Sequence, residues 1–363
     1  MIRFGVGMAT VCLAAAGVFG GEVDSSPLAP RVTLLGQVVV SSEVVEPDGT
    51  RTPVAELSGI TWLGGEKYLA VMDSSDRALV LSLIPAPDGA PTAGDSDPPG
   101  YTVRLDQSIA LDAVRDWEDV AAGPGETDAR SMFAVEEDTP AIREFLIDWP
   151  AARSPPPPRP RTVISLAEVF RSARANRGPE SLTLEPDSPH LWTANEEPLE
   201  RDGPPVAEGT SARVRLVRVP VDGAEAPQAR RQEWIYPVDP PHERLGLVGG
   251  PLYCGVVALV ALGQGRLLVL ERSAAAGLPP FENRIFLVDT GARAAESEIP
   301  ADLRDQAAAP VAKSLLWRGA LGVNLEGLCA GPRLPDGRRL LVGVADNGAA
   351  GRPSVIALFA VDE

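Results

Sequence analysis

Histidine is almost missing from this chain: His190 and His242 are the only two in 363 residues. Both lie in loop-like stretches rich in proline, which speaks against a Ser-His-Asp machine, and no Gly-x-Ser-x-Gly elbow occurs. Cysteine is nearly as scarce. Of the three, Cys12 falls in the apolar N-terminal run, leaving Cys254 and Cys329. No Cys/His spacing suits zinc, and there is no P-loop or dinucleotide fingerprint. Positive charge is in deficit: 33 Lys+Arg against 50 Asp+Glu give a net charge of −17. That balance excludes nucleic-acid binding and docking on anionic lipid as main tasks. The apolar run from Gly5 to Val18 follows Arg3, precedes Gly20 and Gly21, and is too short for a comfortable membrane span. The pattern predicts a signal peptide over residues 1–20 and a periplasmic or secreted protein, with an uncleaved anchor as the alternative. Residues 21–31 read as a polar lead.

Proline (36) and glycine (35) are plentiful, as expected of many short strands joined by many turns. One pattern recurs: a carboxylate opens an apolar strand, a turn follows, and a second strand ends in another carboxylate. Glu56-Leu57-Ser58-Gly59-Ile60 leads to Asp73, Trp117-Glu118-Asp119-Val120 to Glu136, and Pro179-Glu180-Ser181-Leu182 to Asn195-Glu196. Asn324-Leu325-Glu326-Gly327-Leu328 leads to Asp346-Asn347. Gly255-Val256-Val257-Ala258-Leu259, leading to Glu271, fills the remaining gap without its glutamate. Five copies of one unit signal a repeat architecture. Two further extended segments follow each core, but only one, Ser354 to Val361, follows the last. The strand Val32 to Val40 is left over to complete it. The fold expected over 32–363 is therefore an all-β propeller of about five four-stranded blades, closed by pairing the N-terminal strand with the last blade. A sandwich or open meander is the competing fold. Two helical excursions are expected as well. One starts at the capping box Ser165-Leu166-Ala167-Glu168 and runs to about Asn176; the other is an insertion around Pro300 to Gln306.

In a ring of this kind the innermost strands face a central channel. The glutamates would crowd there, at a high desolvation and repulsion cost unless paired or bound to a cation. Hard oxygen ligands suit Ca²⁺. The candidate metal ligands are Glu56, Glu118, Glu180, Asn195, Glu196, Glu326, Asp346 and Asn347; the alternative is that these side chains bond backbone N–H groups or arginine and serve structure. Glu180 and Glu326 are candidate general bases. Arg177 and Arg272, with Arg77 and Arg143, form either an anion-binding rim or ordinary salt bridges. Cys254 and Cys329 are either buried free thiols or a disulfide pair.

The strings Glu56-Leu57-Ser58-Gly59-Ile60, Asn176 to Leu182, Leu191 to Leu199, Leu268 to Ser273 and Asn324 to Leu328 resemble the "esterase-like activity of phytase" family, from about residue 50 to the C-terminus. The resemblance implies a β-propeller, an exported bacterial protein, and hydrolysis of phosphoesters or esters. A looser similarity, to calcium-dependent lactonase propellers, implies metal held by Glu56 or Glu326 with Asp346-Asn347. The chain departs from the family pattern at Ala258 and Gly348. Propeller phytases have six blades, and insertions here leave room for a degenerate sixth. Three functions follow: a Ca²⁺-dependent phosphoester hydrolase acting as a monomer on a small molecule, a Ca²⁺-dependent lactonase or carboxylesterase, and a non-catalytic propeller that binds a ligand or protein.

Overall fold

The computed structural model describes residues 30–46, 48–85, 100–126, 129–148, 159–186, 188–221, 231–243, 250, 252–291, 302–304, 309–346, 348 and 352–362. The expected signal peptide, most of the polar lead and Asn347 lie outside them. The described residues form no α-helix, and none is long and apolar enough to cross a membrane.

Five four-stranded antiparallel sheets form a ring, a five-bladed β-propeller. Strand β1 (Val32–Val39) is followed by a small hairpin, β2 (Glu43–Val45) and β3 (Arg51–Pro53). Blade one comprises β4 (Leu57–Gly64), β5 (Lys67–Met72), β6 (Ser75–Pro85) and β7 (Tyr101–Arg115). Blade two comprises β8 (Trp117–Glu126), β9 (Ala129–Glu136), β10 (Ala141–Asp148) and β11 (Thr162–Ser165). Blade three is β12 (Thr183–Leu184), β13 (His190–Ala194), β14 (Ala212–Pro220) and β15 (Gln232–Val238). Blade four is β16 (Leu252–Gly263), β17 (Arg266–Ala275), β18 (Phe281–Asp289) and β19 (Lys313–Gly319). Blade five holds β20 (Asn324–Arg333), β21 (Arg339–Asp346) and β22 (Val355–Val361), and β1 supplies its outer strand. Val32 pairs with Val361 and Val39 with Val355, so the two ends of the chain close the ring. The expected closure and blade number both hold.

Five apolar clusters, one per blade–blade interface, explain why the middle strands read as unbroken apolar runs. Leu57, Ile60 and Leu79 of blade one meet Leu340, Val342 and Ile356 of blade five. On its other face blade one sets Leu69, Val71 and Val80 against Trp117, Val120 and Phe145 of blade two. The remaining three interfaces repeat the scheme. Strands covered on both faces lose the polar alternation of a half-exposed sheet. Each fully buried large side chain contributes about 1.5–3 kcal/mol. Cys254 and Cys329 are buried free thiols placed in different interfaces.

Near the axis the innermost strands approach closely. A Cβ on Gly59 would lie 2.4 Å from the Asp119 Cα, and one on Gly327 2.9 Å from the Gly59 Cα. Asp119, fully buried, ties this waist: its Oδ2 accepts the Leu182 N–H of blade three at 2.8 Å, Oδ1 accepts the Val120 N–H at 2.8 Å, and the Ile60 N–H of blade one is a third donor. The sequence places Asp119 beside Glu118 without distinguishing its role.

The capping box at Ser165 does not start a helix. Ser165 is committed to β11, where it pairs with Ala141. Its Oγ receives only a long contact from Ala167 N, at 3.4 Å. One i→i−4 bond forms, from Phe170 N to Leu166 O, and the chain then turns away because Leu166, Val169 and Phe170 are drawn into the interface between blades two and three. Burial there outweighs local helix preference. Of the second expected helix, residues 302–304 are described and are irregular.

Candidate functional site

Strand register decides which carboxyl groups reach the channel mouth. In β8, Trp117 lies opposite Glu136 and Asp119 opposite Val135, so Glu118 is an extra residue in a β-bulge. The same bulge falls at Ser58 in β4, Val257 in β16 and Glu326 in β20. In blade three the register shifts between Pro179 and Thr183, the stretch that contains Glu180. A bulge re-aims its extra side chain, here in all five blades at one level. The matching set is therefore Ser58, Glu118, Glu180, Val257 and Glu326. This corrects two expectations: Glu56 is not the counterpart of Glu118, whose place in blade one is taken by Ser58, and the position lacking a glutamate in blade four is Val257, not Ala258.

Two further levels follow. The main-chain bonds Asp73 N to Glu56 O, Glu137 N to Asp116 O and Glu196 N to Gly178 O are equivalent. Gly255 pairs with Arg272 and Asn324 with Asp346 in the same relation. The rim therefore carries Asp73, Glu137, Glu196, Arg272 and Asp346. Glu136 and Glu271, read from sequence as rim residues, point the other way. Glu136 is held by Arg143 at 2.7 Å and Arg115 at 3.0 Å. Glu271 is fully buried and accepts from Tyr236 Oη at 2.8 Å and from Lys313. Arg143 is spent on Glu136, and Arg77 donates to Ser108 Oγ at 2.8 Å on the outer strands; neither joins the site. Asn195 is also taken up by structure, its Oδ1 accepting Arg215 N at 2.9 Å and its amide donating to Glu197 O.

The acids split into two neighbourhoods. In the first, carboxylate oxygens of Asp73, Asp116 and Glu118 lie within 4.8 Å of one another, as do those of Glu118, Glu137 and Glu180. Glu118 belongs to both triplets. Among the described residues no lysine or arginine forms an ion pair with Glu118 or Glu180. Burial pushes both carboxyls well above the usual range; repulsion from Glu180 adds to the rise of Glu118, and repulsion from Glu196 and Glu137 to that of Glu180. Burial and neighbouring acids likewise raise Asp116 to about 8 and Glu137 to about 7. Glu56 is raised by burial and by Asp346 and Asp73.

The second neighbourhood is charge-matched. Glu196 holds two guanidinium groups: Arg177 on Oε2 at 2.8 Å and Arg272 on Oε1. Arg272 also donates to Glu326 Oε1 at 2.9 Å and Asn324 Oδ1 at 2.8 Å, while its buried Nε has no partner. Asn324 Nδ2 donates to Glu326 Oε1 at 2.7 Å. Burial raises Glu326 to about 7 despite Arg272. Glycines make these contacts possible. A Cβ on Gly255 would meet the Glu196 Cγ at 2.5 Å, and one on Gly178 the Glu137 Cγ at 2.8 Å, so each rim acid leans over the next blade.

The donor set around Glu118 fits a Ca²⁺ ion. It is all carboxylate oxygen, clustered tightly enough for bonds of about 2.3–2.6 Å to one centre, and among the described residues none of these carboxylates is in a direct ion pair. Of the eight ligands expected from sequence, Glu118 and Glu180 are in the triplets. Glu56, Glu196, Glu326 and Asp346 stand around them, and Asn195 is diverted. Asp73, Asp116 and Glu137 are additions. Asp116 and Glu137 are hidden in the sequence because Glu118 and Glu136 beside them complete the repeat.

A closed ring with carboxyl groups gathered at one mouth defines a five-bladed β-propeller with an acidic channel site. The family model described as phytase-like, "esterase-like activity of phytase", matches residues 52–349, and the chain belongs to that family. No curated protein matches the chain. Similar solved structures include the Chaetomium thermophilum polycomb repressive complex 2 bound to GSK126 (11% identity, 87% of this chain and 70% of that chain, TM-score 0.38). A luciferin-regenerating enzyme (10%, 92% and 96%, TM-score 0.35) and the tail fiber of Staphylococcus aureus phage P68 (6%, 91% and 52%, TM-score 0.35) are others.

Proposed function

We propose that the chain is an exported, Ca²⁺-dependent hydrolase of phosphate esters or related esters, working at the acidic mouth. One observation carries this reading: the overlapping triplets Asp73–Asp116–Glu118 and Glu118–Glu137–Glu180 gather acids that form no direct ion pair among the described residues, next to a pair of guanidinium groups held by Glu196 and Glu326. Glu118, Glu137 and Glu180 would hold the ion. Bound there, Ca²⁺ would supply positive charge for substrate oxygens and increase the acidity of a nearby water.

The remaining roles belong to the chain's own groups. Glu326, with a pKa of about 7, is suited to take a proton from water at neutral pH. Arg272 and Asn324 orient its carboxylate, and Arg177, a quarter exposed, offers N–H groups to an anionic substrate. A net charge of −17 would otherwise repel such a substrate, so the need for a cation is built into the chain. The test is metal content of the purified protein, together with turnover of phytate, aryl phosphates, lactones and carboxylesters with and without EDTA. Turnover of carboxylesters or lactones alone would transfer the site to ester chemistry. Metal-free protein with no metal-dependent turnover on any of them would leave only a binding propeller. Fractionation and N-terminal sequencing, with a mature end near residue 20, test export.

A further inference from the structure

The mouth is not acidic all round. Its blade-four side carries Tyr253, the second residue of β16, which is 38% exposed. The Arg177 guanidinium carbon sits 5.1 Å from the centre of the Tyr253 ring. Tyr253 shares a face of β16 with Gly255, two residues on, over which Glu196 leans, so the ring borders the Arg177–Glu196 pair. Tyr253 pairs with Ala274 of β17, and the loop after β17 carries Leu278 at 66% exposure. Of the large apolar side chains exposed among the described residues, Tyr253 lies against the Arg177 guanidinium, and the strand paired with it leads into the loop that carries Leu278.

Both are held in place. Ser273 Oγ donates to Tyr253 O at 3.1 Å. His242, buried, contacts Ser273 Oγ through Nδ1 at 2.7 Å and donates from Nε2 to Pro279 O at 2.9 Å, next to Leu278. Ala275 N donates to Pro280 O at 2.9 Å and closes the loop. A buried histidine–serine pair thus fixes both ends of the lip, a task that explains His242 without chemistry.

The geometry points to Tyr253 and Leu278 as a subsite for an aromatic or alkyl group attached to the anion bound at Arg177. This rests on the proposed function and narrows it: the substrate is an ester with an apolar group next to its charged or scissile centre, rather than a uniformly polar polyphosphate. Tyr253 is then a specificity residue, touching substrate outside the reacting atoms.

The test uses the full Ca²⁺-loaded protein and three probes measured by calorimetry: inorganic phosphate, methylphosphonate and phenylphosphonate. Phenylphosphonate is expected to bind about tenfold tighter than methylphosphonate, the worth of roughly 55 Å² of apolar surface removed from water. Tyr253→Ala is expected to abolish that preference, Tyr253→Phe to keep it and Leu278→Ser to reduce it, with phosphate affinity unchanged by Tyr253→Phe and Leu278→Ser. Equal binding of the two phosphonates by the native protein, or a preference that survives Tyr253→Ala, overturns the subsite and leaves the hydrolase reading standing. No binding of any probe overturns the subsite together with the phosphate-ester form of the proposed function.

Discussion

Glu118→Gln tests the acidic site most directly, because its predicted effect depends on whether Ca²⁺ is present. In the metal-free protein, burial and the neighbouring acids push the Glu118 carboxyl well above the usual range and so favour its protonated form. Glutamine imitates that form, so the melting temperature should barely move near pH 7. With Ca²⁺ at a hundred times its Kd, the native protein gains about 2.7 kcal/mol. For a chain of this length, with an unfolding entropy of about 2.1 cal/mol/K per residue, that amounts to a rise of roughly 4 °C. The variant loses an oxygen shared by both triplets. If affinity falls about a hundredfold, the same Ca²⁺ concentration adds only about 0.4 kcal/mol, a rise under about 1 °C. Scanning calorimetry of both proteins in EDTA and in Ca²⁺ measures all four values. A variant that keeps the full Ca²⁺-dependent rise would refute the placement of the ion. A native protein with no rise at all would refute the ion.

Three further outcomes are expected. Asp116 and Glu137 have folded-state pKa values raised to about 8 and 7, so the native state binds more protons than the unfolded chain. Metal-free stability should therefore fall as pH rises from about 5 to 9, a slope that urea midpoints would show and that Ca²⁺ should flatten. Arg272→Met leaves the half-buried Glu326 without its cation and the buried Glu196 with Arg177 alone, and should cost about 3 kcal/mol in denaturant unfolding; adding Glu326→Gln should recover part of that loss. Gly327→Ala forces a methyl into the Gly59 backbone and should destabilise by about 1–3 kcal/mol, whereas Gly337→Ala meets no neighbour and acts only through its positive φ.

Much of this molecule is legible in its sequence because a propeller repeats. Apolar runs doubly covered by neighbouring blades, turn residues between them and one strand left over at the N-terminus fixed five sheets and their closure. Chain order supplies such facts directly, since each strand is local and each blade is built from consecutive segments. The side-chain directions of the acids were not available in the same way. Strand residues alternate faces, so a slip of one exchanges channel for interface. Glu136 and Glu137 are neighbours in sequence, yet the first is neutralised by arginines between strands and the second faces the site. Glu271 and Arg272 divide in the same manner, which turns an expected acid into the cation that organises Glu196 and Glu326. Which member of each pair faces inward is set by a bulge in the innermost strand, and that bulge is a property of pairing between strands. The sequence by itself determined that many carboxylates would converge; only the folded ring decided which of them meet, because their partners come from different blades.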